Sequence, residues 1–416
     1  MNLSDELSWR GLIKDKTFED LNWLNEPKTF YLGVDCSSNS LTIGNLAILL
    51  LAKRLVKSGW KAVLLVGGAT SLIGDPGGKD EERELKSPDE IAKNVSAIKA
   101  QVAKLFEGFS FKPVDNYDWF KDIGYLEFLR DVGKHYSMTE LMQRDFIVSR
   151  MGDGGSGISY AEFSYSLIQG YDFWYLYKTE GAVLQIGGSD QWGNMLSGVP
   201  LVRKKEKNAQ VHALSIPLVI DKLTGKKFGK SEYGAIWLDK NRTSPYNFYQ
   251  FWLNVDDDAV EEFLKIYTEL GKQEVENIIT EFNQDKSQRI AQKNLAFEVT
   301  KLIHGEEEAK KQQNFAKVLF ETRDFKSFSA SDFEALESEL PFVSVSEGTS
   351  YSEALVQTNL ASSLSESRRL IEQGALSNSN LFIVTPSKDK IVKNEALEGY
   401  MVLIKGKKNL ALIKIN

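Results

Sequence analysis

Thr29-Phe30-Tyr31-Leu32-Gly33-Val34-Asp35, then Cys36-Ser37-Ser38-Asn39-Ser40, then Gly44-Asn45-Leu46 is the stretch around which this chain is organised. Its first seven residues, rich in aromatic and branched side chains, read as a short buried strand. The next five form a polar loop of small residues. An apolar helix opens at Gly44 and runs to about residue 59. A strand, a small-residue loop and a helix N-terminus direct unpaired N–H groups and the helix dipole at one spot, which suits an anion. Any strand–helix unit of an α/β protein has the same order, so this stretch alone leaves both readings open.

The alternation recurs on either side. A short helix with Ser4 as its N-cap is expected over 4–13. Ala62-Val63-Leu64-Leu65-Val66 reads as a second buried strand, followed by Gly67-Gly68-Ala69 and by Ile73-Gly74-Asp75-Pro76-Gly77-Gly78-Lys79. Helices are predicted over 87–107, between 124 and 151, and over 160–178, the last after the turn Gly154-Gly155-Ser156-Gly157. Ala182-Val183-Leu184-Gln185-Ile186 is a further strand, ending in Gly187-Gly188-Ser189-Asp190, and a last strand is expected over 211–220. Strands alternating with helices imply a mostly parallel sheet covered on both faces, a Rossmann-like α/β domain. Residues 244–322 turn helical. Residues 325–348 show no period and read as a linker. From 351 a compact α+β module is expected, with helices over 351–358 and 365–373, Gly374 as a cap, and strands near 381–384 and 400–415. No internal repeat or low-complexity tract is present.

Bulk properties narrow the function classes. The 416 residues are 42% hydrophobic and 26% charged, with a mean hydropathy of −0.29, enough for two or three domains with buried cores. The longest apolar run, residues 46–52, is too short for a bilayer, and the acidic first residues carry no signal-peptide-like stretch, so a cytoplasmic protein without a membrane partner is expected. Cys36 is the only cysteine and His135, His212 and His304 lie far apart, so neither a disulfide nor a zinc site is expected. Cys36 itself reads as a small buried residue. The net charge of −7 is uneven: from Ser346 onward nine Lys/Arg face seven Asp/Glu, a tail of +2 on a body of −9.

Two constellations carry chemistry. Tyr165, Gln169 and Asp172, at i, i+4 and i+7, share one face of the 160–178 helix. They form either a solvated stripe or, since Phe163, Leu167, Ile168, Phe173, Trp174 and Leu176 surround them, the polar lining of a cavity that suits an amine or hydroxyl ligand. The second is Gly225-Lys226-Lys227-Phe228-Gly229-Lys230-Ser231. It is one residue short of a P-loop and follows a turn instead of a strand, which excludes that motif. A loop carrying lysines onto a polyphosphate and a lysine-rich surface turn both remain open.

Phe163 to Phe173, Leu184 to Asn194, Gly67-Gly68-Ala69-Thr70 with Gly74-Asp75-Pro76, and Lys227-Phe228-Gly229-Lys230-Ser231 together resemble bacterial tyrosyl-tRNA synthetases, class I aminoacyl-tRNA synthetases, over nearly the whole chain. The lysine segment is similar to the family's KMSKS loop. Residues 365–371 with Gln373-Gly374 resemble an S4-type RNA-binding module. The family's HIGH signature falls on Thr42-Ile43-Gly44-Asn45, with both histidines replaced, and its Asp-Pro-Thr is here Asp35-Cys36-Ser37.

The resemblance implies a Rossmann-like catalytic domain over 1–240 with a dimer-forming insertion at about 115–205, an α-helical domain over 241–325, a linker over 326–347 and an S4-like RNA-binding domain over 348–416. It implies a tyrosine–tRNA ligase that makes tyrosyl-adenylate from L-tyrosine and ATP and transfers tyrosine to the 3′ end of tRNA(Tyr). ATP is a substrate accompanied by Mg²⁺, with no protein metal site, and a homodimer is expected. Tyr31, Asp75, Tyr165, Gln169, Asp172 and Gln191 would bind tyrosine. Gly33, Asp35, Ser37, Gly44, Gly188, Asp190 and Lys230 would line the nucleotide, with Gln191 also against the adenylate. Thr42, Asn45, Lys79, Arg83, Lys227, Lys230 and Ser231 would act on the phosphates, and Arg368 and Arg369 on RNA. Two alternatives stand beside this: a synthetase-derived tyrosine- or RNA-binding protein with weak or lost activation, resting on the two missing histidines, and specificity for tryptophan, which leaves Asp172 without a use.

Overall fold

The computed structural model describes the chain except residues 76–85, 144, 152–156, 221–229, 232–233, 387–388 and 407, together with the side chains of 145, 146, 149, 230 and 231. Two compact units emerge: Met1–Ser244 with Asn254–Ile303, and Pro245–Leu253 with His304–Asn416.

The first unit is built on five parallel strands, β1 (Thr29–Asp35), β2 (Lys61–Gly67), β3 (Phe111–Asp115), β4 (Ala182–Gly188) and β5 (His212–Ile216), in the order β3-β2-β1-β4-β5. β1 is central. In register, Tyr31 lies beside Val63 of β2 on one side and Gln185 of β4 on the other. Strands covered on both faces read as continuous apolar runs, and β1, β2 and β4 do. The order reverses between β1 and β4. The crevice beyond the carboxyl ends of these two strands is therefore where a ligand is expected.

Five helices frame that crevice: α1 (Ile43–Lys57), α2 (Gly68–Ile73), α3 (Pro88–Leu105), α4 (Tyr160–Glu180) and α5 (Trp192–Lys205). α1 buries Leu46, Leu49, Leu50 and Leu51 completely and ends with Arg54 and Lys57, which suit the negative end of the helix dipole. α4 starts at a Ser159/Glu162 capping box and stops at Gly181, whose φ of 68° is the left-handed conformation glycine adopts without strain. Glu162 also pairs with Arg150, Nη1 to Oε1 at 2.6 Å, both side chains buried, which anchors the start of α4 to the preceding helical segment. α4 and α5 approach closely at glycine: a Cβ on Gly198 would lie 2.9 Å from the Phe173 ring, and one on Gly170 would lie 3.3 Å from the Ser197 backbone. This contact seats Asp172 inward.

Several sequence expectations are corrected. The first helix is Leu3–Trp9, shorter than expected, and its N-cap is Asn2, whose side chain accepts from the Asp5 N–H at 2.9 Å; Ser4 lies inside it. The strand expected over 211–220 is His212–Ile216, and β3 had no sequence signal because it is an edge strand with a proline and half-exposed residues. Residues 254–303 fall in the first unit, and 245–253 with 304–325 in the second. The linker over 326–347 is structured: it holds the helix Ala330–Leu336 and the strand Phe342–Val345, which pairs in parallel with Asn409–Ile415. No regular strand spans 381–384. Ile383 makes a single bridge to Ser377, and the regular strand is Leu376–Asn378.

The second unit has a four-stranded sheet, Phe342–Val345, Asn409–Ile415, Tyr400–Lys405 and Leu376–Asn378 in that order. Its side chains alternate between two cores. Met401, Leu403, Ala411 and Ile413 pack with Tyr351, Leu355 and Ile371. Tyr400, Val402, Ile404, Leu410 and Leu412 pack with Phe315, Leu319, Phe325, Phe333 and Leu336. The stretch without a period is therefore the cover of one sheet face, which is why it cannot be a free linker.

Candidate active site

β1 and β2 deliver two turns to the crevice. Asp35, the last residue of β1, accepts from Thr70 Oγ1 at 3.0 Å on one carboxylate oxygen and from Tyr165 Oη at 2.7 Å on the other. It thereby joins β1, α2 and α4. Gly67 lies against this junction: a Cβ there would sit 2.1 Å from Thr70 Oγ1 and 2.8 Å from Asp35 Oδ1, so only glycine fits. The following loop is pinned at Cys36, whose N–H donates to Ser71 Oγ at 2.7 Å and whose carbonyl accepts from Asn94 Nδ2 at 3.0 Å. Burial, then Asp35, pushes the Cys36 thiol up to about 12, which makes it an inert filler. Ser37 is exposed on this loop and Gly33 at the strand above it.

Asp172 is fully buried on α4. Its two oxygens accept from Asn116 Nδ2 at 3.1 Å and Trp119 Nε1 at 3.0 Å. Burial pushes its carboxyl up to about 8 against those two hydrogen bonds, with Asp35 and Asp115 adding repulsion. Tyr31 is 1% exposed and packs on Phe173 at 5.2 Å. Burial, then Asp172 and Tyr136, holds its phenol well above the usual range, so it keeps its proton and can donate a hydrogen bond. Among the described residues none bonds the Tyr31 hydroxyl, and the same holds for Gln169 Oε1 and for Oε1 of Gln185, the register neighbour of Tyr31. Buried polar atoms are normally satisfied, so three such atoms in this region fit a polar ligand.

Asp75, just after α2, is buried and accepts from Gln191 Nε2 and from Asn194 Nδ2 at 3.3 Å; Asn194 also donates to Gln191 Oε1 at 3.3 Å. Gln191 follows the turn at the end of β4. There Asp190 is exposed, and its carboxylate lies 2.5 Å from where a Gly188 Cβ would be. At the start of α1, Asn45 Oδ1 accepts from both the Thr42 N–H at 3.0 Å and Thr42 Oγ1 at 2.9 Å. A Cβ on Gly44 would meet only Thr42 Oγ1, at 3.5 Å, so the protein itself does not demand glycine there. Ile43 N donates to Ile236 O at 3.1 Å and Leu238 N to Leu41 O at 2.8 Å, which lays the segment after the lysine loop along the start of α1.

The structure thus connects Tyr165 to Asp35 and Asp75 to Gln191 by hydrogen bonds, places Tyr31 within electrostatic reach of Asp172, and pairs Thr42 with Asn45. Lys79, Arg83 and Lys227 lie outside the described residues. Lys230 and Ser231 are described as backbone only, in a two-residue strand paired with Gly234–Ala235. Arg368 and Arg369 are exposed on the helix Leu364–Glu372 of the second unit. Sequence reasoning missed Thr70, Asn116, Trp119, Gln185 and Asn194. For Asn116 the available signal was the polar Asp115-Asn116 pair at a strand end, hidden because β3 itself was not recognised.

A parallel sheet with glycine turns converging at its reversal point is a Rossmann-like α/β fold, and residues 24–321 match the class I tRNA synthetase family described as W and Y. The chain is 41% identical over the whole of both sequences to a tyrosine–tRNA ligase 2 of Bacillus cereus. It is 44% identical to the tyrosine–tRNA ligase of Bacillus caldotenax over 90% of each. A C-terminally truncated mitochondrial tyrosyl-tRNA synthetase of Aspergillus nidulans superposes with a TM-score of 0.69 at 32% identity, covering 77% of this chain and 94% of that one. The chain belongs to the tyrosyl-tRNA synthetases and is a tyrosine–tRNA ligase.

Proposed function

We propose that this site activates L-tyrosine with ATP, giving tyrosyl-adenylate and pyrophosphate, before tyrosine passes to the 3′ end of tRNA(Tyr). The observation that carries the reading is the buried, unpartnered Tyr31 hydroxyl within electrostatic reach of Asp172. A substrate phenol would accept from Tyr31 and donate to Asp172, so phenylalanine would leave the Tyr31 hydroxyl without a partner, at about 1–3 kcal/mol, and Asp172 with only its protein donors Asn116 and Trp119. The α-ammonium needs acceptors. Asp75 supplies a carboxylate, Gln169 its Oε1, and Tyr165 a lone pair, since its own proton goes to Asp35. Gln191, held by Asp75, stands between amino acid and nucleotide.

The substrate carboxylate is the nucleophile on the α-phosphate, so no protein base is required. Catalysis rests on positioning and on stabilising charge at the pentavalent phosphorus. Gly33, Asp35, Ser37, Gly44, Gly188 and Asp190 would line the nucleotide, Asp190 toward the ribose. With Asn45 Oδ1 engaged by Thr42, the Asn45 amide N–H groups serve as donors to phosphate oxygens. Lys79, Arg83, Lys227, Lys230 and Ser231 would hold the leaving pyrophosphate, with Mg²⁺ arriving on ATP.

The same reading gives Arg368 and Arg369 to RNA phosphates. It gives the segment at about 115–205 to a homodimer, for which exposed Tyr117, Tyr125, Leu126, Met138, Met142 and Val148 offer apolar surface. It places the protein in the cytoplasm with its substrates; no helix among the described residues is long and apolar enough to cross a membrane. ATP–pyrophosphate exchange with tyrosine, phenylalanine and tryptophan tests the reading. Exchange with tyrosine alone is expected, and exchange led by tryptophan would overturn the pocket assignment.

A further inference from the structure

Arg242 is used by none of the steps above, yet it touches the loop after β1 that the proposed function gives to the nucleotide. Its Nη1 donates to Ser38 Oγ and, at 3.0 Å, to Asn39 Oδ1. Its guanidinium lies 3.3 Å from the centroid of the Trp237 ring. Trp237 in turn bridges Thr42 in antiparallel fashion, and its N–H donates to Thr243 Oγ1 at 3.0 Å. Asp239 N donates to Ser40 Oγ at 3.2 Å, closing the same clasp from the other end. The side chain is exposed, and both of its hydrogen-bond partners are neutral. Among the described residues no carboxylate forms an ion pair with it; the nearby Asp239 carboxylate instead accepts from the Asn241 N–H at 2.9 Å.

We propose that Arg242 is a positioning residue for ATP: it clasps the Ser38–Asn39 loop to Trp237 and so fixes Ser37 and the start of α1 against the base of the lysine hairpin. Two distant pieces of chain meet at this one side chain. The loop after β1 leads into α1, the hairpin Lys230–Ser231/Gly234–Ala235 leads into Trp237, and Arg242 joins the two after the chain has turned back. A planar guanidinium performs this in a way an ammonium cannot, because it stacks on an indole face while its edge donates to two acceptors. Its charge has a second consequence. Thr42 and Asn45 are neutral, so an unneutralised cation stacked on the residue that bridges Thr42 adds to the field that draws a polyphosphate to the start of α1.

The inference rests on the reading of this loop as the ATP side of the site. It predicts an effect on ATP and not on tyrosine, whose proposed contacts lie on β1 and α4 and just after α2 and β4. The test measures ATP–pyrophosphate exchange and equilibrium tyrosine binding in the full chain for wild type, Arg242→Ala, Arg242→Gln and Arg242→Lys, with thermal melts of each. Arg242→Ala is expected to raise the KM for ATP about tenfold, the loss of a clasp and a nearby charge, while the Kd for tyrosine stays within about twofold. Arg242→Lys keeps the charge without the stacked fork and should fall between wild type and Arg242→Ala. Arg242→Gln should also flatten the dependence of the ATP KM on salt concentration. A folded Arg242→Ala with an unchanged ATP KM overturns the proposal, as does an equal loss for ATP and tyrosine, which marks a general structural role. If Arg242→Ala fails to fold, Arg242→Lys decides between the same outcomes. Wild type that binds tyrosine but shows no exchange would overturn the reading of the loop as an ATP site, and the clasp's role with it.

Discussion

Replacing Tyr31 by phenylalanine separates what the pocket does for the protein from what it does for the substrate. The ring packs on Phe173 at 5.2 Å and is 1% exposed, and no described residue bonds its hydroxyl. A buried hydroxyl without a partner destabilises by about 1–3 kcal/mol. Phenylalanine keeps the ring and removes that atom, so the ligand-free protein should melt level with wild type or higher, by roughly 2–4 °C per kcal/mol regained. The substrate should respond in the opposite sense. Losing a donor to the phenolic oxygen should lower kcat/KM for tyrosine roughly 5- to 150-fold and leave phenylalanine unchanged or improved. Thermal melts without and with tyrosine, together with pyrophosphate exchange on both amino acids, read both effects in one variant. A ligand-free melting point lower by more than about 4 °C would show that the hydroxyl has a protein partner after all. An unchanged tyrosine-to-phenylalanine ratio would show that it does not meet the substrate.

The Asp172 carboxyl, pushed up to about 8, is raised above its unfolded value, so the folded chain holds the extra proton and loses stability as pH rises from about 4 through 8. Asp172→Asn should remove that loss: its melting point relative to wild type should climb between pH 6 and 8.5, whereas parallel curves would contradict the shift. Gly67→Ala places a methyl 2.1 Å from Thr70 Oγ1, so it should cost about 1–3 kcal/mol and impair activation, with part of both recovered by adding Thr70→Ala. Truncation after Phe342 removes Tyr400, Val402, Ile404, Leu410 and Leu412 from the core they share with Phe325, Phe333 and Leu336. The shortened chain should therefore expose apolar surface, detected as dye binding or aggregation; a clean soluble product would show that 304–342 needs no sheet.

What could be read in advance followed from local pattern. β1, β2 and β4 are buried on both faces, so their apolar runs were plain, and α4 carried Tyr165, Gln169 and Asp172 on one face because helical spacing puts them there. The groups that hold those residues come from distant segments. Asn116 and Trp119 are 56 and 53 positions from Asp172, and they follow an edge strand whose half-exposed residues and Pro113 have no clear period. Residues 325–336 carry no readable pattern for a related reason. Their phenylalanines lie on short turns of helix covering a sheet made by residues far along the chain, a face with no counterpart in local spacing. The Thr42–Asn45 pair is the reverse case: its positions were identified from sequence, but its mutual hydrogen bonds, which complete the start of α1 without histidine, required the structure.

The Thr42–Asn45 pair stands at the central chemical step. If the site activates tyrosine with neutral residues at both positions, the native chain is already competent, and the histidines are dispensable. Pyrophosphate exchange with tyrosine, compared between wild type and Thr42→His/Asn45→His, measures this directly. The expected result is a clearly active wild type and a change of no more than about tenfold, roughly 1.4 kcal/mol, in the double variant. A native chain silent in exchange that the two histidines switch on would contradict it.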